Sequence, residues 1–252
     1  QLEKYIKKLQ DNGFTIAVYT QDSPSKNTTR SLQCIYSPGT YFTQDSNEIS
    51  NNTTCIWIHH SAKNNIINEQ ITVGISNIDI YTGKTNILEF SNEFQQTPGT
   101  YDYLEKFISV YNPKECIIIS NLNEDNINSI INFINLNSIQ IHKILLEDNL
   151  KNNELIKEAK NCEQQKYQHE IYKKFFKNDE NIMSEYYYSC IASQSFCFLL
   201  NFISKHNPYL VEKIDKPIRE ECSDKLILAN HSLKDRKSTR LNSSHANISY
   251  AV

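Results

Sequence analysis

Asp79 and Glu89 are the two residues of this sequence whose type and spacing best suit metal-dependent chemistry. Each falls in a segment rich in strand-forming residues, and the two segments follow one another along the chain. Carboxylates on neighbouring strands can bind magnesium, but a two-metal nuclease needs at least a third convergent carboxylate. Asp125 is a candidate, although it begins a polar, Asn-rich stretch in which an acidic residue also suits the helix dipole. A nuclease centred on Asp79 stays open as an alternative.

Motifs that bind nucleotides or metals are missing from the sequence. It contains neither G-x-x-x-x-G-K-S/T nor G-x-G-x-x-G, and it has only five glycines. Thr82-Gly83-Lys84 is better explained as a hairpin turn between two strands. The seven cysteines include no C-x-x-C pair, which predicts buried free thiols rather than disulfides or a zinc site. We therefore predict no cofactor, no metal and no catalytic residue in this chain.

Lys26 and Arg30 are the residues that could contact DNA phosphates. They flank a loop that ends beside a strand, and the alternative is that both are solvated loop cations. The formal net charge of -3 is close to neutral, whereas a dedicated nucleic-acid module is usually basic. Any contact with DNA would therefore depend on a local patch.

The composition fits a polar globular protein inside a cell. Hydrophobic residues make up 39% and charged residues 22% of the chain. No apolar run approaches the roughly 20 residues that cross a bilayer, and the first ten residues lack the apolar stretch of a secretory signal. We expect an intracellular protein without membrane contact.

The elements that would position these residues fall into three regions. The first holds a helix over 2–11, stopped by Gly13, and strands over 14–20 and 30–36, before a polar linker over 44–52. A second unit starts near Thr53 and reads as strands followed by alternating strands and helices, which implies an α/β domain of roughly one hundred residues. Its predicted strands are 55–58, 71–79, 86–90, 116–120 and 139–146, and its predicted helices are 100–111 and 125–135.

From about residue 151 the pattern changes to long helical stretches. The strongest is 186–204, which is apolar around most of its circumference, so we expect it to be buried in a larger helical assembly. Residues 235–252 show no sustained periodicity. They look like a translated sequencing-adaptor tail, and we exclude them from the predicted fold.

The opening 42 residues resemble the end of the mismatch-recognition domain of the MutS family. That family has a helix ending in a "kLxxxG" pattern, which Tyr5–Gly13 matches, and a strand ending in Gln, which Ile16–Gln21 matches. An Arg-containing strand and a "TPGT" turn come next, here with Arg30 and with Ser37–Thr40. Order and spacing agree across all four elements.

The next unit resembles the MutS connector domain. Residues Val73–Lys84 follow that family's "iGiAxlDxxTG" strand and turn, and Asn112–Glu115 follow its "xPxE" step into a strand. The resemblance implies an RNase H-like fold without nuclease activity, in which Asp79 is a structural residue.

The segment 175–234 resembles the start of the helical MutS lever region. Within it, 199–203 and 226–233 resemble the branch found in giant DNA viruses and octocoral mitochondria. That branch implies a viral factory, the host cytoplasm or a mitochondrion as the location. The predicted division is thus 1–45 as the end of the mismatch-recognition domain, 50–150 as the RNase H-like connector, 151–234 as the start of the helical lever, and 235–252 as the tail.

The resemblance implies a fragment of a protein that recognises mispaired double-stranded DNA and couples this to ATP and Mg²⁺. The family's Phe-x-Glu wedge would lie before residue 1, and the clamp and Walker ATPase would lie beyond the last residue, so no catalytic residue is carried over. The longer protein is expected to be a homodimer, with other repair proteins as further partners. A free-standing RNase H-like nuclease and a non-catalytic interaction scaffold stay open as alternatives.

Overall fold

The computed structural model describes residues 2–10, 12–21, 29–40, 50–62, 68–94, 98–136, 139–147, 154–176 and 190–222. Lys26, the expected linker over 44–52 except for its last residues, the segment 226–233 and the tail 235–252 lie outside these ranges. None of the helices in the described ranges is long and apolar enough to cross a membrane.

The first unit is a helix followed by a hairpin, as the residue pattern predicts. Helix α1 spans Leu2–Gln10, strand β1 spans Ile16–Gln21 and strand β2 spans Arg30–Tyr36. The two strands are antiparallel, with Ile16 opposite Tyr36 and Gln21 opposite Arg30. We call α1, β1 and β2 the hairpin unit. A two-stranded sheet is marginally stable alone, so its attachment to the rest of the chain matters for its position.

A six-stranded mixed sheet forms the second unit. Its strands are β3 (Asn52–Ser61), β4 (Gln70–Asp79), β5 (Thr85–Glu93), β6 (Glu115–Ser120), β7 (Gln140–Leu145) and β8 (Ile218–Arg219). The strand order is β7-β6-β3-β4-β5-β8. Strands β3, β4 and β5 form an antiparallel meander, β6 and β7 run parallel on the other side of β3, and β8 runs parallel to β5. This arrangement is RNase H-like and confirms the predicted fold class.

Two helices cover one face of this sheet. Helix α2 (Asp102–Tyr111) follows a 3-10 turn over Pro98–Tyr101, and helix α3 (Glu124–Phe133) begins at Asn123, whose side chain accepts a hydrogen bond from the Asn126 amide. Their apolar side chains share a core with every second residue of the central strands. All six residues of β6 are buried, as expected of a strand covered on both faces.

Three helices cover the other face, which corrects one expectation. Helix α4 spans Glu154–Cys162, α5 spans Gln165–Phe175 and α6 spans Cys190–His206. We expected the last of these to be buried among helices, but it packs across β3 and β4 and shares a core with their side chains. Its apolar circumference is explained because α6 contacts β3 and β4 of the sheet and also contacts α4 and α5.

The described part of the segment predicted as the start of the lever (151–234) also packs on the sheet, while the predicted domain bounds stay a prediction. After α6, a 3-10 helix over Pro208–Lys213 leads into a strap along the edge of β5. The Asp215 amide donates to the Gly83 carbonyl and the Glu220 amide donates to the Ile87 carbonyl, both at 2.8 Å. Residues 154–222, where described, therefore belong to the same packed unit as the sheet, because its face and its edge strand need covering.

Candidate functional site at the hairpin–sheet junction

Asp79, the centre of the nuclease alternative, is engaged in shaping a turn. Its Oδ1 accepts hydrogen bonds from the amides of Asn51 (3.0 Å) and Tyr81 (3.1 Å), and its Oδ2 accepts one from the Thr82 hydroxyl (2.7 Å). The turn that follows joins β4 to β5. An aspartate whose side chain accepts hydrogen bonds from residues two and three positions further along the chain is a common turn device.

Glu89 lies far from Asp79 and has a different structural role. Gly74 is its partner across β4 and β5, and Asp79 lies five residues further along β4. At about 3.3 Å per residue, the two acidic residues are roughly 17 Å apart along the sheet. Metals of a two-metal site are only about 4 Å apart, so these carboxylates cannot share one.

The Glu89 side chain caps the start of α6. Its Oε2 accepts a hydrogen bond from the Ala192 amide at 2.8 Å. Burial raises the pKa of this carboxyl, and the amides of Ala192 and Ile191 together with the charge of Arg219 oppose the rise. A carboxylate at a helix N-terminus stabilises the exposed amides and the helix dipole.

The structure does not bring the third candidate, Asp125, to either of these residues. It lies in the first turn of α3, on the face of the sheet opposite to α6. Within the described ranges, no group of three or more His, Cys, Asp or Glu side chains could hold a metal ion. Arg30, the described member of the predicted phosphate pair, is exposed at the start of β2.

The residues that do converge lie where the hairpin unit meets the sheet. The turn Ser37–Thr40 follows β2 and closes on itself, because the Ser37 amide donates to the Thr40 hydroxyl and the Thr40 amide donates to the Ser37 carbonyl, both at 3.1 Å. Ser37 and Thr40 are fully buried. This turn matches the "TPGT" pattern singled out in the sequence.

Glu115, the first residue of β6, holds the turn against the sheet. Its side chain is fully buried. The Oε2 atom accepts from the Ser37 hydroxyl at 2.6 Å and from the Gly39 amide at 3.0 Å, while Oε1 lies 2.7 Å from His142 Nε2 on β7. A buried carboxylate is costly unless it is paired and hydrogen-bonded, and all three contacts meet that requirement.

Gly39 allows this contact to be close. A Cβ atom at this position would lie 2.4 Å from Thr53 Oγ1 and 2.7 Å from the Glu115 Cβ, nearer than real Cβ atoms approach. The Thr53 hydroxyl also donates to the Gly39 carbonyl at 2.8 Å. Both backbone polar groups of Gly39 are thus bound by the sheet unit. We call Ser37–Thr40, Thr53, Glu115 and His142 the junction.

The junction also touches helix α6. The His142 ring lies 5.6 Å from the Phe202 ring, and the Phe202 ring lies 4.0 Å from the ring of His206. Burial lowers the pKa of His206. Sequence reasoning quoted Ser37–Thr40 and Glu115 as family patterns but did not pair them, and it missed His142. The sequence did offer one sign of this site, because Glu115 is a single acidic residue at the start of a mostly apolar strand.

Comparison with known proteins defines the class to which this fold belongs. Residues 60–207 match the model of MutS domain II. The match covers more than half of the chain, so the chain belongs to the MutS family, as the sequence patterns predict.

A particular relative agrees with this assignment. Over 248 residues the chain is 22% identical to the "Putative DNA mismatch repair protein mutS homolog L359" of Acanthamoeba polyphaga mimivirus, which is a giant virus. The alignment covers 92% of this chain and 22% of that protein, so the chain spans about a fifth of its relative. Among solved structures, a Fowlpox virus resolvase in complex with Holliday junction DNA is 12% identical, with a TM-score of 0.33, over 58% of this chain and 97% of the resolvase.

Proposed function

We propose that this chain is the connecting segment of a longer DNA mismatch-repair protein and links its mismatch-recognition part to its ATPase part. The observation that carries the proposal is the junction, in which a fully buried Glu115 binds the turn of the hairpin unit through two hydrogen bonds. The mimivirus relative, whose name is that of a mismatch-repair protein, supports the same reading.

The geometry of the junction supports a role in linking two parts of the longer protein more than it supports a catalytic role. Glu115 accepts a hydrogen bond from the Gly39 amide and Thr53 donates one to the Gly39 carbonyl, so the turn of the hairpin unit is bound directly to the sheet. Sub-ångström shifts are passed on through packed interfaces of this kind, because such interfaces prefer discrete arrangements. In the proposed role, mismatched double-stranded DNA, ATP, Mg²⁺, homodimer formation and contacts with other repair proteins belong to the longer protein.

The location follows from the same assignment. A protein of the giant-virus branch would act in the viral factory or host cytoplasm, and one of the octocoral branch in a mitochondrion. The coding sequence on either side of this segment tests the assignment directly. We expect a Phe-x-Glu element upstream and a Walker phosphate loop downstream, and finding neither in the flanking reading frame would overturn the proposed function.

The linking role is tested in the longer protein by Glu115→Ala. The measured quantity is the ratio of ATP turnover with a G·T mismatched duplex to turnover with a matched duplex. We expect Glu115→Ala to bring this ratio close to one, because the turn loses its acceptor, while the exposed Glu170→Ala on α5 leaves it unchanged. Ser37→Ala removes only the contacts of the Ser37 hydroxyl, to Glu115 Oε2 and to Thr40 Oγ1, and leaves the Gly39 hydrogen bond to Glu115 in place. It keeps the test available if Glu115→Ala does not fold. A ratio that stays within twofold of the original protein's in both junction variants would refute the linking role.

The segment alone provides a second test. Without a phosphate loop, the purified chain should not turn over ATP in the presence of Mg²⁺. Turnover that disappears on changing Lys84 to Ala would show that the turn between β4 and β5 binds nucleotide, and the connector would then be an enzyme in its own right.

A further inference from the structure

We propose that His142 is a positioning residue through which the hairpin unit and the C-terminal end of α6 depend on each other. The inference rests on the proposed linking function, since it names the contact by which the position of the turn reaches the rest of the sheet unit. It is carried by the geometry of Glu115, His142 and Phe202.

Glu115 divides its two oxygens between the two sides of this contact. Oε2 accepts both hydrogen bonds from the turn, and Oε1 is left for His142. The carboxylate is planar, so a rotation that follows the turn also changes the distance and angle at His142. Because Glu115 is fully buried, losing a partner would leave its carboxylate with an unmet hydrogen bond in the interior, which is costly.

His142 stands between this carboxylate and α6. It lies on the edge strand β7, with its side chain 28% exposed, and its ring packs on Phe202. Phe202 is nearly buried, and its own carbonyl lies 2.7 Å from Nδ1 of His206, the last residue of α6. The ring of His206 packs on Phe202 as well. The last turn of α6 is thus built around the residue that His142 touches.

The chain leaves α6 directly toward the other edge of the sheet. The 3-10 helix that follows brings Asp215 to β5, where its carbonyl accepts from the Thr85 hydroxyl at 2.8 Å. A displacement of the last turn of α6 would therefore pull on the strap that holds the β5 edge. Lys205 does not compete at the junction, because its Nζ pairs with Glu158 Oε2 at 2.6 Å.

A chain of contacts between the hairpin unit and α6 does not by itself establish that the two are coupled. Coupling is established when a substitution at one end changes a quantity measured at the other end. The probe at the hairpin end is the Gly39 amide, since its hydrogen bond to Glu115 protects it from hydrogen exchange. The perturbation at the far end is Phe202→Leu. The matched control is Phe198→Leu, one helical turn earlier and buried in the same core.

The experiment measures Gly39 exchange in the full chain by NMR, relative to amides of β4. We expect Phe202→Leu and His142→Ala to accelerate Gly39 exchange at least tenfold, and Phe198→Leu to change it by less than twofold. His142→Gln should restore most of the protection, because its amide can still hydrogen bond to Glu115. A residue that merely adds stability would instead accelerate the β4 amides equally.

A positive control separates this inference from the proposed function. Glu115→Ala must accelerate Gly39 exchange if the amide reports on the junction at all. If it does so while Phe202→Leu and His142→Ala leave Gly39 within twofold, the role of His142 is refuted, whatever the mismatch dependence of ATP turnover. Conversely, acceleration by both variants supports that role even if ATP turnover proves independent of mismatches and the linking function fails.

Discussion

Replacing Gly74 by Ala is the sharpest single test of how α6 lies on the sheet. Gly74 is in β4, and a Cβ atom there would lie 2.3 Å from both the Ala192 nitrogen and the Ile191 carbonyl carbon. Ordinary van der Waals contact begins at 3.4 Å, so the first turn of α6 would have to move away by about 1 Å. Both close atoms are backbone, and no side-chain rotation can relieve the clash.

The expected cost follows from what that turn contacts. A gap of 0.5–1 Å forfeits about a quarter to a half of each affected contact energy, and overpacking a core typically costs about 1–3 kcal/mol. The shift would also stretch the Glu89–Ala192 hydrogen bond and that of the Ser195 hydroxyl to the Cys55 carbonyl (2.9 Å). At roughly 1 kcal/mol for each weakened bond, the total loss is about 3–5 kcal/mol.

Urea unfolding followed by the fluorescence of Trp57 measures this loss. Trp57 is the single tryptophan of the chain and is fully buried in the core that α6 completes. Gly99→Ala is the matched control, because the nearest atom to a Cβ there is 4.0 Å away, and its effect should stay within about 0.5 kcal/mol. A loss below about 1 kcal/mol for Gly74→Ala, with an unchanged m-value, would mean that α6 does not lie against β4.

Three further outcomes are expected. The purified chain should not cut DNA or an RNA–DNA hybrid with Mg²⁺; cutting that Asp79→Asn abolishes without unfolding the chain would make Asp79 catalytic. The chain should bind duplex DNA weakly and with equal affinity for matched and G·T duplexes. The logarithm of the binding constant should fall with the logarithm of salt concentration with a slope of about -0.9 per phosphate neutralised, and changing Lys26 and Arg30 to Ala should remove most of the binding. A tenfold preference for the mismatch would locate recognition in this chain. Burial raises the Glu89 pKa, so its ionisation costs stability as pH rises through the folded-state value. Glu89→Gln should therefore gain stability relative to the original chain over that pH range, and parallel pH profiles would contradict this.

Local structure was largely predictable because it depends on neighbouring residues. The alternation of apolar residues over 14–20 predicted β1, and the segment 30–36 predicted β2. The apolar run 116–120 predicted a strand covered on both faces. Helix α2 ends where the pattern placed its stop, since Asn112 adopts a left-handed conformation (φ 42°) directly before Pro113. Each of these features needs only a few residues of context.

Contacts between distant segments were not predictable in the same way. The apolar circumference of α6 predicted burial but carries no information on whether a sheet or other helices cover it. Glu115 binds Ser37 across 78 positions in the sequence, and nothing in either pattern names the other. The register of β6 and β7, which brings His142 beside Glu115 on one face, likewise follows from tertiary packing.

The proposed linking role and the nuclease alternative make different demands on the oxygens of the acidic side chains. A metal ligand must direct lone pairs at the ion, yet those of Asp79 accept from two amides and a hydroxyl, and those of Glu115 face the turn and His142. Turning either one toward a cation would leave these donors without an acceptor, at about 1–3 kcal/mol for each buried group. The donors belong to segments that must be held in place. Asp79 therefore fixes the turn between β4 and β5, and Glu115 fixes the hairpin unit on the sheet, as the proposed linking role requires.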